Sequence, residues 1–219
     1  NESIQYAKKN GLKIRFTAED ASRTDLDYLL SIGELVEKAG ADRFGFADTV
    51  GILYPQKVSE VITKLVNHLN IPIHVHFHND FGLATANALQ AVQSGASCVD
   101  VTINGLGERC GITSLAEITA SIDELLHIKN SWNFKVISSL SSFVDEITNK
   151  IAQKNRPITG YDSFTHNAGL HAAAVIKDPS TYESMSPEKF GQIRKILIDK
   201  FSGKDAVDYR LKKLGFNLP

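Results

Sequence analysis

Cysteine is scarce in this chain of 219 residues, where Cys98 and Cys110 are the only two. Two cysteines cannot build the disulfide framework of a small secreted protein, so we expect a reducing, cytoplasmic setting. Neither sign of charge is in excess, with 24 Lys+Arg against 25 Asp+Glu. Proteins that bind nucleic acids or membrane surfaces need a basic excess, so the balance argues against both classes.

Long hydrophobic runs are also missing, although 42% of the residues are hydrophobic. No run approaches the roughly 18–20 residues that a membrane helix requires, so we expect no membrane span. The length suits one large domain, or a domain with a smaller appendage. The sequence starts with Asn1 rather than Met, and we expect the natural N-terminus to lie upstream.

Short β-rich runs alternate with longer amphipathic stretches over residues 1–128. The predicted strands are Leu12–Thr17, Asp42–Ala47, Ile71–Phe77 and Ser97–Ile103, and the predicted helices are Glu2–Lys9, Thr24–Ala39, Gln56–Leu69, Leu83–Ser94 and Ser114–Ile128. Alternation at this spacing is typical of βαβ units around a parallel sheet.

Each predicted strand has one polar face, which is richest towards its C-terminal end. Alternate strand residues share a face, so Arg15 lies with Thr17, and His74 lies with His76. The sheet of an open α/β fold is buried on both faces and reads as nearly continuous aliphatic sequence. The pattern therefore favours a TIM-type barrel with a polar mouth, and four units make half of one. Because a half barrel has two unpaired edges, we expect the missing strands to come from elsewhere.

Residues 129–219 form a different region. An amphipathic helix is predicted over Leu140–Gln153 and another over Lys204–Leu214, with loops and His166 and His171 between them. We therefore expect an α-rich extension after a half barrel that ends at residue 128.

A histidine run is the strongest local signal for chemistry. His76 and His78 are two residues apart at the end of a predicted strand, just before Asn79 and Asp80. Two imidazoles on one strand face can grip one divalent metal ion, and barrel active sites lie at these strand ends. The histidine pair alone does not identify the metal, which can be Zn, Mn, Fe, Co or Mg. The alternative is a set of hydrogen-bonded histidines that line the barrel.

A second polar cluster follows the first strand. Arg15 can offer a bidentate fork to a carboxylate, Thr17 shares its face, and Glu19 can shuttle a proton. An internal salt bridge that shapes the barrel wall explains the same arginine equally well.

The glycine-rich stretch Gly105–Gly111 is only weak evidence for nucleotide binding, because it lacks the third glycine of a dinucleotide-binding fingerprint. A loop closing the barrel mouth explains it better. We expect Cys110 to be a loop thiol and not a nucleophile, since no sequence feature indicates a base that would activate it.

Together these stretches resemble the acyl-CoA-condensing branch of the metal-dependent TIM-barrel lyases and synthases, which includes homocitrate, 2-isopropylmalate and citramalate synthases. The matching stretches are Arg15–Arg23, Ala47–Gly51, His76–Asp80, Asn104–Arg109 and Phe164–His171. The resemblance implies that the four strands are the fifth to eighth of the barrel.

The resemblance also implies roles. His76 and His78 would hold the divalent metal that binds a 2-oxo acid. Arg15 and Thr49 would bind the carboxylates of that acid, with Thr17 beside them. Glu19 would belong to the proton-transfer network, and His171 would help to enolise acetyl-CoA in the site of a neighbouring subunit, in a domain-swapped dimer. Such an enzyme serves amino-acid biosynthesis, with lysine synthesis among the routes.

Within this branch, Ile112 and the stretch His171–Val175 resemble the homocitrate type, which implies condensation of acetyl-CoA with 2-oxoglutarate. Sister enzymes that make 2-isopropylmalate, citramalate or Re-citrate use 2-oxoisovalerate, pyruvate or oxaloacetate instead. Retro-Claisen and aldol lyases resemble the barrel but lack the Phe164–His171 motif. An inactive half-barrel fragment is the non-enzyme alternative.

Three features depart from the family pattern. The opening strand, whose acid completes the metal site, is absent. His74 stands where lysine-inhibited homocitrate synthases have Glu, so lysine feedback is not expected. The family often has an active-site Tyr near the position of Gly191, where this chain has Arg194 and Lys195.

Overall fold

A computed structural model describes residues 1–150, 153–200 and 202–216. The chain divides into two compact units, Asn1–Leu126 and His127–Pro219. The expected boundary after residue 128 lies two residues from this division.

The first unit is a four-stranded parallel sheet with helices between the strands. The strands are β1 (Arg15–Ala18), β2 (Arg43–Asp48), β3 (Ile73–Phe77) and β4 (Cys98–Val99), and the helices are α1 (Glu2–Lys9), α2 (Leu26–Lys38), α3 (Pro55–His68), α4 (Ala84–Gln93) and α5 (Leu115–Glu124). The spatial order β1-β2-β3-β4 follows the chain, as in the wall of a barrel. The predicted α/β class with parallel strands is confirmed.

Local signals explain where the helices begin and end. The side chain of Asp25 caps α2 by accepting a hydrogen bond from the backbone N–H of Tyr28 at 3.0 Å. Pro55 occupies the first turn of α3, where its missing N–H costs nothing. Gly40 and Gly95 follow α2 and α4 with φ of 96° and 98°, which glycine adopts without strain.

The apolar face of the sheet forms the core of the first unit. Phe44 and Phe46 on β2 and Val75 and Phe77 on β3 are completely buried against the helices. Because side chains alternate along a strand, the polar residues between them lie on the opposite face. Core packing therefore fixes which side chains the polar face presents.

The fourth strand is shorter than the predicted Ser97–Ile103. Regular pairing ends at Val99, and Thr102 makes only an isolated parallel bridge to Ser114. The chain then turns through Asn104 and Gly105, whose φ values of 61° and 65° are left-handed and end an extended strand.

The second unit contains helices and one small sheet. Its helices are α6 (Ile137–Thr148), α7 (Gly169–Lys177) and α8 (Lys204–Lys213), and its strands are β5 (Thr165–His166) and β6 (Lys195–Ile196). The expected α-rich extension is confirmed, and it also contains the two short strands β5 and β6, which pair in parallel. These two-residue strands are too short to leave an alternating pattern. The predicted helix Leu140–Gln153 begins three residues earlier and ends at Thr148, and its positions 151 and 152 lie outside the described residues.

Across the described ranges, every helix is too short or too polar to cross a bilayer.

Candidate active site

A trough of small residues runs along the polar face of the sheet. In the strand register, Thr17 on β1, Gly45 on β2 and His74 on β3 lie side by side. The next β2 residue on this face is Ala47, which pairs with His76. Because Gly45 and Ala47 have short side chains, groups from β1 and β3 can meet across β2.

The two histidines of the predicted metal pair converge on one point. Their Nε2 atoms lie 3.3 Å apart. The Nδ1 atom of His76 lies 3.1 Å from the carboxylate of Asp100, and that of His78 lies 3.2 Å from the carbonyl oxygen of Gly111. Both Nδ1 atoms therefore face acceptors, which favours a proton there and leaves both Nε2 lone pairs facing the shared point.

The surroundings of His78 keep its ring neutral. Burial lowers the pKa of His78 below its ordinary value, and the nearby His76 and Arg109 lower it further. A neutral imidazole is the form that coordinates a metal.

This donor set fits a divalent cation. Two nitrogens that each lie ~2.1 Å from one ion, at angles of about 90–110°, are about 3.0–3.4 Å apart. The separation between His76 and His78 falls in that range. Within residues 1–150, 153–200 and 202–216, no group of three or more His, Cys, Asp or Glu side chains is arranged so that it could hold a metal ion. The pair would therefore supply two ligands of such an ion.

Asp100 joins the metal pair to the predicted substrate arginine. Its carboxylate accepts a hydrogen bond from NH1 of Arg15 at 2.9 Å and lies 2.7 Å from Nε2 of His74. Burial alone would raise the pKa of Asp100, but the hydrogen bonds from Arg15, His74 and His76 outweigh it and lower the pKa. The carboxylate is therefore ionised, and it fixes side chains from β1 and β3 together.

Arg15 makes the salt bridge that was one of the two alternatives suggested by its sequence position. It forms an internal salt bridge through NH1, which lies 2.9 Å from Asp100. No hydrogen bond within the described residues uses its Nε or NH2, and its side chain is 39% exposed. These two atoms form one edge of the guanidinium, so a carboxylate can bind there in bidentate fashion.

Thr49 and Arg109 tie together the loops that follow the strands. The Thr49 hydroxyl oxygen accepts a hydrogen bond from the backbone N–H of Asp20 at 2.8 Å. The Thr49 carbonyl accepts another from NH2 of Arg109 at 2.8 Å. Arg109 also pairs with Asp80 at 2.7 Å and lowers its pKa. The hydroxyl proton of Thr49 has no acceptor in the described part of the chain, so it can be donated to a bound ligand.

The glycine-rich loop packs beside the histidine pair. Gly111 has φ of 87°, and a Cβ there would collide with the carbonyl oxygen of Gly105. That carbonyl accepts a hydrogen bond from the backbone N–H of Ile112, and the Gly111 carbonyl accepts one from Asn79. The loop therefore packs against the end of β3, and Cys110 is exposed.

The remaining predicted residues are Glu19, His171 and Thr17. Glu19 is exposed at the end of β1, and it makes no hydrogen bond to the rest of the described chain. His171 lies in the second unit on the first turn of α7. Thr17 is exposed on the polar face, beside Gly45.

Tyr182 lies against His171. The two rings stack with centroids 4.1 Å apart and an interplanar angle of 29°. The family pattern places a tyrosine near the position of Gly191, where this chain has Arg194 and Lys195. No local sequence pattern connects Tyr182 with His171. No local sequence pattern singles out Asp100 either, because its partners Arg15, His74 and His76 come from strands distant in sequence.

Comparison with known proteins identifies the fold family. Residues 1–144 match the HMGL-like profile, and residues 158–219 match the profile described as homocitrate synthase post-HMGL domain-like. The curated homocitrate synthase of Sulfurisphaera tokodaii is 48% identical over 99% of this chain and 47% of its own length. The homocitrate synthase of Saccharolobus islandicus strain L.S.2.15 is 46% identical, with the same coverage. The chain thus spans about half the length of the curated relatives it matches.

Solved structures agree on the fold. The HMG-CoA lyase of Bacillus subtilis superposes with a TM-score of 0.62 at 22% identity, over 68% of this chain and 54% of that one. The N-terminal domain of a putative aldolase from Bacteroides vulgatus gives a TM-score of 0.56 at 19% identity, over 67% and 48%. At these identities the likeness concerns the fold alone. With a profile match over 144 of its 219 residues, the chain belongs to the HMGL-like family.

Proposed function

We propose that this chain provides four βα units and the adjoining extension of an enzyme that condenses acetyl-CoA with 2-oxoglutarate to give homocitrate and CoA. The observation that carries the chemistry is the convergence of His76 and His78, whose Nε2 atoms are 3.3 Å apart, with Asp100 linking His76 to Arg15. The choice of 2-oxoglutarate is supported by the curated homocitrate synthases, which are 46–48% identical to the chain.

His76 and His78 would hold a divalent cation, with the remaining ligands supplied from outside the described residues and by the 2-oxo acid. When bound, such a cation supplies Lewis-acid polarisation of the ketone. Their Nδ1 contacts to Asp100 and to the Gly111 carbonyl would keep both rings in the coordinating orientation.

Arg15 and Thr49 would position the 2-oxo acid. The Nε–NH2 edge of Arg15 would bind one carboxylate in bidentate fashion, while NH1 stays on Asp100. The Thr49 hydroxyl would donate to a carboxylate oxygen, because its lone pair already accepts from Asp20. Thr17 would border the same trough above Gly45.

Proton transfer would involve His171, Tyr182 and Glu19. His171 would take a proton from the methyl group of acetyl-CoA, and the resulting carbanion would attack the keto carbon to form the new C–C bond. Tyr182 stacks on the His171 ring and would fix its orientation. Glu19, in its protonated form, would give a proton to the alkoxide oxygen left by attack on the ketone, and water would then hydrolyse the thioester to release CoA. We place His171 in the site of a neighbouring subunit in a domain-swapped dimer.

Release of CoA thiol by the full-length protein tests this proposal. Acetyl-CoA and a divalent metal would be supplied with 2-oxoglutarate, 2-oxoisovalerate, pyruvate or oxaloacetate, one acid at a time. We expect release with 2-oxoglutarate. Preference for another acid would contradict the assignment of 2-oxoglutarate as substrate but agree with the proposed mechanism. Absence of CoA release with all four acids would contradict the proposed synthase activity.

A further inference from the structure

A basic cavity lies in the second unit, between the stretch Ile193–Ile198 and helix α8. Its volume is about 490 Å³, within the range of small-molecule sites. The polar side chains that line it are Arg194, Lys195, Arg210, Lys213, Tyr161 and Tyr209. The other lining residues are aliphatic, so the lining contains four cations and no carboxylate. The whole chain has nearly equal numbers of acids and bases, so the local excess is a property of this cavity.

Three of the four cations are available to a ligand. Arg194 is neutralised by Glu183, to which it donates from Nε at 2.6 Å. No carboxylate within residues 1–150, 153–200 and 202–216 pairs with Lys195, Arg210 or Lys213. Such charges attract an anion most strongly in a concave site, where the field is focused.

The positions of these cations are partly set by aromatic neighbours. Lys195 donates to the carbonyl oxygen of Tyr161 at 2.7 Å, and its ammonium group lies over the Tyr161 ring. Lys213 and Tyr209 are one turn apart on α8, and the ammonium group of Lys213 lies 4.9 Å from the centroid of the Tyr209 ring. Cation–π contacts of this kind hold the ammonium groups in place without neutralising them.

The residues that line the cavity suit a ligand that has both anionic groups and an aromatic ring. Lys195, Arg210 and Lys213 suit phosphate oxygens, which accept charge-assisted hydrogen bonds from ammonium and guanidinium groups. Tyr161 is 64% exposed although Lys195 covers one face of its ring, so it offers a flat surface for an aromatic ring. A phosphorylated nucleoside combines both features, whereas inorganic phosphate or an acidic peptide would use only the charges.

We propose that this cavity binds the phosphorylated adenosine of coenzyme A. The assignment rests on the proposed function, since acetyl-CoA is the substrate there that carries such a group. Arg210 and Lys213 would contact phosphate, and the adenine would lie against a tyrosine. The second unit would then hold the nucleotide as well as His171, the residue proposed to act on the acetyl group.

Binding of adenosine 3′,5′-bisphosphate to the full-length protein, measured by calorimetry, tests the site without turnover. The test variant is Arg210→Gln/Lys213→Gln. The control is Lys64→Gln/Lys212→Gln, which removes two positive charges, one of them on the same helix but outside the cavity. All four side chains are exposed, so both variants should fold.

We expect the test variant to bind the bisphosphate at least about tenfold more weakly than the wild type, because charge-assisted hydrogen bonds are lost. The control should match the wild type. KM for acetyl-CoA should rise in parallel in the test variant, with KM for the 2-oxo acid unchanged. Equal binding by test and control variants, or no binding by the wild type, would overturn the site. Wild-type nucleotide binding without CoA release would instead count against the proposed condensation and leave the cavity assignment intact.

Discussion

Gly45 and Thr17 lie side by side on neighbouring strands, and a Cβ atom on Gly45 would be 2.6 Å from Oγ1 of Thr17. The same Cβ would be 3.1 Å from the Thr17 Cα, so rotation of the threonine side chain cannot relieve the whole contact. The absence of a side chain at Gly45 therefore opens the trough and sets the position of Thr17.

The first prediction concerns this contact. We expect Gly45→Ala to lower the free energy of unfolding by about 1–3 kcal/mol, because the added methyl group overpacks a site with a backbone atom on one side. Urea unfolding of the full-length protein measures the change. The double variant Gly45→Ala/Thr17→Ala should recover part of the loss. Equal stability of Gly45→Ala and wild type would contradict the close approach.

The second prediction concerns the histidine pair. Removing either imidazole leaves a single ligand on β3, so we expect His76→Ala and His78→Ala each to weaken metal binding by at least about 100-fold. Competition with a chromogenic chelator in the full-length protein measures the affinity. His68→Ala is the control, because His68 is exposed on α3 and pairs with Glu34. Retention of stoichiometric metal by both test variants would rule out the pair as ligands.

The third prediction concerns Asp100, which contacts His76 but is not itself a proposed metal ligand. Asp100→Asn keeps the shape but removes the charge that faces Nδ1 of His76 and NH1 of Arg15. We expect metal affinity to fall by about 10–100-fold, the usual cost of losing a carboxylate behind a ligand histidine. The absorption spectrum of bound Co²⁺ should also change. The control variant Asp42→Asn removes a carboxylate paired with Lys8, and it should change neither the metal affinity nor the Co²⁺ spectrum.

Repetitive features of the fold could be read from the sequence. The boundaries of α1, Glu2–Lys9, match the expectation. The parallel sheet follows from the alternation of strands and helices. The two strand residues of β5 carry no periodic signal, since pairing with β6 depends on a segment about thirty residues away.

The site was partly predictable for a similar reason. His76 and His78 share a strand face by spacing alone, so their convergence followed from one element. The contacts of Asp100 with Arg15 depend on the register of four strands and on the short side chains of β2. Such contacts between distant residues leave no local pattern, and neither does the stacking of Tyr182 on His171.

The last prediction tests the open edge of Arg15. Lysine keeps the charge at this position but has no planar fork, so it can reach Asp100 or the substrate without binding both. We therefore expect Arg15→Lys to raise KM for the 2-oxo acid by at least about tenfold, because a bidentate hydrogen bond is lost. KM for acetyl-CoA and metal affinity should change little. Arg43→Lys is a matched control, since Arg43 is the direct register partner of Arg15 on the neighbouring strand β2. Equal KM values in the two variants would show that the charge of Arg15 suffices and that its exposed edge does not bind the acid.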